Sequence, residues 1–220
     1  MRPLPTLERE RLAWAEHRLL IGVDEAGRGP LAGPVVAAAV VFPPAAEQLD
    51  GVRDSKTLPA RRREELALRI RASAIRIGVG AASTREIDRL NIRVATALAM
   101  RRAVGRALSS HCEGPEAPKQ SPAEGFVLLV DGLPFPELGY AHEALVAGDA
   151  HCYSVAAAGI VAKTVRDRIM RSLAPRHPAY RWETNMGYGT SDHLAGIASC
   201  GPCRHHRMSF APIAQQELFG

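Results

Sequence analysis

The sequence predicts an α/β domain in which the strands of one sheet alternate with helices along the chain. Short apolar runs have the length of buried strands, and they lie near residues 19–24, 34–42, 74–82 and 126–130. Longer stretches with helical spacing of apolar residues follow or separate them, near residues 60–73, 91–110 and 154–170. Interleaving of this kind is typical of α/β folds, whose functional sites gather beyond the carboxyl ends of the strands.

The first two predicted strands flank a glycine-rich turn. The apolar run from Leu19 to Val23 ends in Asp24 and Glu25, and a Gly-Arg-Gly sequence at 27–29 follows at once. The second strand, near 34–42, is stopped by a pair of prolines, which cannot donate to a strand ladder.

The remaining elements follow in order. Pro59 suits the first turn of the helix near 60–73, and the third strand near 74–82 shows alternating apolar residues. A polar, proline-rich stretch at 111–124 reads as a flexible surface insert, because an apolar strand resumes directly after it. That strand ends in Asp131, and the long helix near 154–170 bears Lys163 and Asp167.

Composition favours a soluble enzyme or binding protein with an anionic partner. The 220 residues allow one sizeable domain, and 28 basic against 23 acidic residues give a net charge of +5 and a pI near 9.3. A transmembrane span is not expected, because the sequence has no apolar run of 18 residues or more. The charged stretch 1–18 is not expected to act as a signal peptide, so the cytoplasm is the expected location.

The cysteines raise a redox or zinc alternative. Cys200 and Cys203 enclose Gly-Pro, as in thioredoxin-type sequences, but they follow a helix-like stretch rather than a strand. A zinc site with the neighbouring histidines 205 and 206 is conceivable, although the ligands crowd together. A Gly-Pro turn with incidental thiols is favoured over both.

Asp24 and Glu25 predict metal chemistry on a phosphodiester. Two adjacent acids at the end of a buried strand need a compensating cation, and the Gly-Arg-Gly turn offers backbone N–H groups and a guanidinium to a phosphate or a sugar hydroxyl. The competing interpretation is a surface turn with an incidental acidic pair.

Two further acids complete the predicted constellation. Asp131 would lie beside Asp24 if their strands are parallel neighbours, although Asp-Gly also simply opens turns. Asp167 shares a helix face with Lys163, although an exposed acid paired with Lys163 or Arg168 would look the same. Four acids from three elements form the usual protein share of a two-metal site, in which one cation activates water and the other stabilises the leaving oxygen.

Several sequence blocks in register resemble bacterial ribonuclease HII. The blocks are DEAGRGPLAGPVV at 24–36, DSK at 54–56, VDG at 130–132, GDA at 148–150, SVAAA at 154–158 with AK at 162–163 and RDR at 166–168, GYGT at 187–190 with His193, and HR at 206–207 with SF at 209–210. The similarity extends from about residue 20 to residue 212.

This resemblance implies a ribonuclease H-like fold with a small helical C-terminal portion. It also implies cleavage of the RNA strand of RNA–DNA hybrids and of DNA at embedded ribonucleotides, with Mg²⁺ or Mn²⁺. The implied metal ligands are Asp24, Glu25, Asp131 and Asp167. The implied substrate-binding residues are Gly27, Arg28, Gly29 and Tyr188 at the ribose 2′-hydroxyl, with Lys56 and Lys163 at phosphates.

One departure from the family pattern concerns the residue before Gly187-Tyr188. The family commonly has a lysine there and this chain has Met186, which cannot supply a phosphate contact. The related ribonuclease HIII family resembles the chain less, because it typically has lysine in the Gly-Arg-Gly position and an extra N-terminal domain.

Three rival functions stay in view. A non-catalytic nucleic-acid-binding module would gain from losing the acids, and a dinucleotide-binding enzyme would need a helix directly after the glycines, where Pro30 and Pro34 favour a strand. A redox protein using Cys200 and Cys203 ranks last.

The predicted organisation is a catalytic domain over residues 18–212 and a polar tail over residues 213–220. Gln215, Leu218 and Phe219 in the tail are similar to the short peptide with which bacterial repair proteins bind the sliding clamp. The alternative is that the two apolar side chains fold back onto the enzyme.

Overall fold

The computed structural model describes residues 4–109 and 125–216, with the side chain of residue 216 excepted. The insert predicted at 111–124 and the tail residues Leu218 and Phe219 lie outside these described residues. No helix within the described ranges is long and apolar enough to cross a membrane.

Five strands form one mixed sheet in the order β3-β2-β1-β4-β5. Strand β1 is antiparallel to β2 and parallel to β4, while β2 is antiparallel to β3 and β4 is parallel to β5. The strands are β1 Leu19–Ala26, β2 Val35–Val41, β3 Arg76–Ala82, β4 Phe126–Asp131 and β5 Glu143–Leu145.

The described helices pack on both faces of the sheet, and the last of them form a helical C-terminal portion. They are α1 Glu8–Ala15, α2 Ala60–Ser73, α3 Thr84–Ser109, α4 Tyr153–Leu173, α5 Trp182–Asn185, α6 Ser191–Cys200 and α7 Ile213–Gln216. Helix α3 is interrupted at Asn91, whose φ of 68° and ψ of 165° are not helical. The Asn91 side chain accepts a hydrogen bond from the Val94 N–H at 3.1 Å, so it caps the second helical part.

Strand β2 lies between β3 and β1 in the sheet and is buried along its whole length. Val35, Ala37, Ala39 and Val41 pack toward α3, and the alternate side chains of the same strand pack toward α2 and α4. A strand that is covered on both faces is expected to be apolar at every position, and this one is.

The C-terminal portion is helical, as the resemblance implied. Trp182, Tyr180, Ile197 and Ile213 form an apolar cluster with Leu31 and Met170 of the sheet-bearing part. A backbone bridge between Ala32 and His206 joins the same two parts.

Candidate active site

Two neighbouring parallel strands bring Asp24 and Asp131 together. Val23 of β1 pairs with Val130 of β4, so the next residue of each strand is an acid at the same edge of the sheet. Asp24 Oδ1 accepts a hydrogen bond from the Glu25 N–H at 2.7 Å, and Asp131 Oδ1 accepts one from the Gly148 N–H at 2.6 Å. The juxtaposition predicted from the sequence is present.

The acids of this edge repel one another. Burial raises the pKa of Asp24 well above its usual value of 3.8, and the charges of Glu25, Asp131 and Asp149 raise it further. Burial also raises the pKa of Glu25; the Arg28 guanidinium opposes this shift, and Asp131 adds to it. The cluster therefore favours either protons or a bound cation.

Asp149 belongs to this acidic cluster, and the sequence analysis gave it no role. It lies in a short 3₁₀ turn, Gly148–Ala150, directly before α4. The turn is fastened to the site, because its first residue donates its N–H to Asp131. The signal was present, since Gly-Asp-Ala was one of the blocks that resemble the family.

Asp167 lies in a different environment. Its two carboxylate oxygens accept hydrogen bonds from Arg63 Nη2 and Lys163 Nζ, each at 2.7 Å. A methyl group placed on Gly159 would lie 2.3 Å from Asp24 Oδ2, so Asp24 contacts α4 at that glycine. Asp167 is eight residues further along the helix, a distance of about 12 Å at 1.5 Å per residue.

An open cleft of about 360 Å³ gathers most of the predicted site residues. Its lining comprises Glu25, Ala26, Gly27, Arg28, Gly29, Ser55, Lys56, Asp131, Lys163 and Tyr188. All six predicted substrate-binding residues are among them, and these six come from four separate segments of the chain.

Arg28 and Tyr188 both line the cleft. Arg28 Nη1 lies 3.3 Å from Glu25 Oε1, so its guanidinium pairs with an acid of the cluster. Tyr188 is 43% exposed and its ring faces Gly29. A Cβ placed on Gly29 would lie 3.9 Å from Tyr188 Cε1. The Lys163 ammonium lies 5.8 Å from the centroid of that ring.

Met186 occupies the usual lysine position with a packing role. Its side chain contacts the apolar cluster around Trp182, and its carbonyl accepts a hydrogen bond from Arg166 Nη1 at 3.0 Å. The residue is in the left-handed region, with φ of 51°. Its side chain adds apolar contact where the resemblance implied a lysine.

The fit of the acidic cluster to a divalent cation can be judged from its donors. Every candidate ligand is a carboxylate, the donor that Mg²⁺ and Mn²⁺ prefer, and Glu25 Oε2 is buried without a hydrogen-bond partner. No three acidic, histidine or cysteine side chains within the described ranges already stand at ligand distances. The carboxylate donors and the unpartnered Glu25 oxygen fit a hard divalent cation.

The Cys200 and Cys203 thiols are both free. Cys200 is exposed at the end of α6, and Cys203 is half-buried beside the Trp182 cluster. Within the described part of the chain they form no metal-binding group with His205 and His206.

The family model described as Ribonuclease HII matches residues 21–117 and 133–213 of this chain. A protein named Ribonuclease HII from Sphingopyxis alaskensis is 51% identical over 200 residues, which span 91% of this chain and 92% of that protein. A second, from Xanthomonas campestris, is 48% identical over 202 residues, spanning 90% of this chain and 77% of that protein.

Solved structures share the fold. Ribonuclease H2 from Pyrococcus horikoshii matches with a TM-score of 0.69 at 25% identity. The match covers 91% of this chain and 98% of the Pyrococcus chain. The PCNA:RNase HII complex from Archaeoglobus fulgidus gives 0.66 at 25% identity, with coverages of 87% and 95%. Bst-RNase HIII in complex with Mn²⁺ gives 0.68 at 21% identity, with coverages of 96% and 74%.

Proposed function

The chain belongs to the ribonuclease HII family and is a metal-dependent endoribonuclease, and we propose that it cuts both RNA–DNA hybrids and DNA with embedded ribonucleotides. The observation that supports this proposal most strongly is the cleft itself. A repelling group of carboxylates stands beside a loop of backbone donors and three basic side chains, which suits a phosphodiester whose sugar must be tested.

We propose that Asp24, Glu25, Asp131 and Asp149 hold the divalent cations. Asp149 takes the place that the sequence analysis gave to Asp167, because its charge raises the pKa of Asp24 while Asp167 is neutralised by two cationic side chains. When bound, Mg²⁺ or Mn²⁺ supplies activation of the water nucleophile and stabilisation of the leaving oxygen.

The other cleft residues bind and orient the substrate. The N–H groups of Gly27, Arg28 and Gly29 are donors for the ribose 2′-hydroxyl, the atom that distinguishes RNA from DNA, and Tyr188 packs beside them. Lys56 and Lys163 reach the cleft and suit the flanking phosphates. Asp167 acts through Lys163, whose ammonium it fixes toward the Tyr188 ring.

A cleavage assay with three duplexes tests the function. The duplexes are all-DNA, DNA with one embedded ribonucleotide, and an RNA–DNA hybrid, each incubated with Mg²⁺ or Mn²⁺ and again with a chelator. We expect cleavage of the last two only, and only with metal. Binding of all three without cleavage would instead identify a non-catalytic nucleic-acid-binding module.

We further propose that the tail docks on a sliding clamp through Gln215, Leu218 and Phe219. Gln215 is exposed in α7, and the two apolar residues lie outside the described part of the chain. The support is the sequence pattern, together with the Archaeoglobus fulgidus relative, whose structure is a complex with PCNA.

A further inference from the structure

Two guanidinium groups are buried beneath the Gly-Arg-Gly loop without an acidic partner. Arg166 of α4 and Arg207 are both 0% exposed. Among the described residues neither forms a salt bridge, which is costly for a buried charge. Burial, and then repulsion by Arg166, lower the pKa of Arg207 to about 9, so Arg207 remains protonated at neutral pH, and burial also lowers the pKa of Arg166.

Arg207 binds the carbonyl groups of the loop. It donates to Gly27 O at 2.5 Å, to Arg28 O at 2.8 Å, and to Gly33 O at 2.9 and 3.1 Å through Nη2 and Nε. A single planar fork therefore fixes both ends of the turn between β1 and β2.

Arg166 ties the same turn to the Tyr188 segment. It donates to Ala32 O at 3.0 Å, to Pro34 O at 3.1 Å and to Met186 O at 3.0 Å. The last of these carbonyls precedes Gly187-Tyr188, so one guanidinium sets the spacing between the loop and the tyrosine.

The loop rests directly on these groups. A Cβ added to Gly27, whose φ is +96°, would lie 2.0 Å from Arg166 Nε. The carbonyl groups of the loop point toward the two buried guanidinium groups, from which they accept hydrogen bonds. The N–H groups of Gly27, Arg28 and Gly29 donate to no acceptor in the described residues, and these three residues line the cleft.

We propose that Arg166 and Arg207 are positioning residues for ribonucleotide recognition, a role that rests on the proposed function. By holding six carbonyls from below, they fix the loop amides toward the ribose hydroxyl and set the distance to Tyr188. Lysine cannot replace them, because an ammonium is a point charge and lacks the planar fork that serves several carbonyls at fixed angles.

The test compares Arg207→Lys and Arg166→Lys with Arg61→Lys, a change at a side chain that is 94% exposed. All are made in an Asp24→Asn background, so that the substrate is bound and not cut. Affinity is measured at one salt concentration for an all-DNA duplex and for the same duplex with one ribonucleotide. Thermal unfolding gives the folded fraction to which each affinity is normalised.

We expect each buried-arginine variant to lower the ratio of the two affinities by about tenfold, the size of a lost hydrogen-bond set of about 1.4 kcal/mol. All-DNA affinity should fall no more than about threefold, since the charge is kept, and Arg61→Lys should change neither value. An unchanged ratio, or an equal loss for both duplexes, overturns the positioning role. A parent protein that shows no ribonucleotide preference refutes the proposed function instead.

A second variant covers the case in which the lysine variants do not fold. Gly33→Ala is expected to displace the carbonyl that Arg207 holds, because φ of Gly33 is +82° and the added methyl would lie 2.3 Å from Met170 Sδ. Gly33 does not line the cleft, so a several-fold fall in the same ratio supports the inference and an unchanged ratio contradicts it.

Discussion

At the scale of single residues, the burial of Asp24 among other acids costs stability, and the proposed metal-binding role would account for that cost. Its neighbours and its burial raise its pKa, so the folded protein holds the proton to a higher pH than the unfolded chain, which ionises near 3.8. The metal-free protein should therefore lose stability as the pH rises between these two pKa values, because the unfolded state releases its proton first.

Asp24→Asn should remove this penalty and nearly abolish activity. We expect a fall of about three to four decades in kcat, roughly 4–5.5 kcal/mol, and a metal-free Tm no lower than that of the parent. Melting curves from pH 4 to pH 8 and single-turnover cleavage test both parts. Near-normal cleavage would refute the assignment of Asp24, and Asp131→Asn is expected to behave alike.

Two variants distinguish the proposed metal-ligand role of Asp149 from the ion-pair role of Asp167. Asp149→Asn should raise the metal concentration for half-maximal activity and lower kcat by about two decades or more, because it removes a proposed ligand. Asp167→Asn should leave that concentration unchanged and destabilise the protein by about 3 kcal/mol, roughly 6–12 °C in Tm, since it leaves Arg63 and Lys163 without their anion. The reverse result would restore the ligand role that the sequence analysis gave to Asp167.

Tyr188→Phe and Arg28→Ala should blunt the preference for a ribonucleotide more than they weaken duplex binding. Tyr188 lies beside the loop donors, and Arg28 is one guanidinium among many basic groups. Arg28→Ala should also raise the pKa of Glu25, which Arg28 lowers. Binding to both duplexes at fixed salt is the measurement, with Tyr140→Phe, outside the cleft lining, as the matched control. Equal loss for both duplexes would leave only an electrostatic role.

The site as proposed was only partly predictable from the sequence. Asp24, Glu25 and Asp131 follow from strand ends, because adjacent strands carry their carboxyl ends to one edge. Asp149 lies four residues after the short strand β5, on a turn that a hydrogen bond to Asp131 fastens, and its only signal in the sequence was the Gly-Asp-Ala block. Asp167 had the helical spacing, but spacing along one helix does not reveal Arg63 on another.

At the scale of elements, the site depends on how closely α4 approaches β1. A Cβ on Gly22 would lie 2.3 Å from the Ser154 backbone carbon, and a Cβ on Gly159 would lie 2.3 Å from Asp24 Oδ2. The helix therefore packs on backbone at one glycine and on a site carboxylate at the other.

These two contacts predict different losses. Gly22→Ala should destabilise the fold, because rigid backbone has to move, whereas Gly159→Ala should cost mainly activity, because it displaces the Asp24 side chain. Gly105→Ala, where the nearest atom is 3.8 Å away, is the matched control and should stabilise α3 by about 1 kcal/mol. Thermal unfolding and single-turnover rates measure the three, and full activity in Gly159→Ala would contradict the close contact.

Helices and strands with strong local sequence patterns were predicted well. Elements that form through contacts with other parts of the fold were not. The helix expected near 60–73 is Ala60–Ser73, and the strand expected near 126–130 is Phe126–Asp131. Strand β5 has three residues and exists through its pairing with β4, so its sequence gives little signal. Helix α1 was missed because it is charged, although its Glu10 is buried and accepts the Ser154 N–H at 2.6 Å.

At the scale of the whole molecule, some positively charged side chains line the cleft and others are buried beneath it. The net charge of +5 draws the enzyme to nucleic acid without regard to sequence, and Lys56 and Lys163 bring that charge to the cleft. Arg166 and Arg207 lie below the surface and act on the geometry of the loop instead. On the proposed roles, affinity for the duplex and preference for a ribonucleotide would depend on different sets of arginines and lysines.

The proposed clamp-binding tail would add a route to the substrate that does not depend on charge. Gln215 is exposed in α7, two residues after Ile213, which packs in the apolar cluster. Leu218 and Phe219 follow Gln215 closely in the sequence. Such a peptide gains affinity by placing its apolar side chains in a pocket of the partner, and a clamp tether raises the effective concentration of the enzyme on newly made DNA.

Titration of the bacterial sliding clamp with the parent protein and with a Leu218→Ala/Phe219→Ala double variant tests this proposal. We expect saturable binding by the parent and a loss of at least tenfold in the variant, with equal cleavage of a short duplex by both proteins when no clamp is present. The equal cleavage separates docking from catalysis, because residues 218 and 219 lie after the last segment that lines the cleft. Equal clamp binding by both proteins, or none by the parent, would favour the alternative in which the two apolar side chains pack on the enzyme itself.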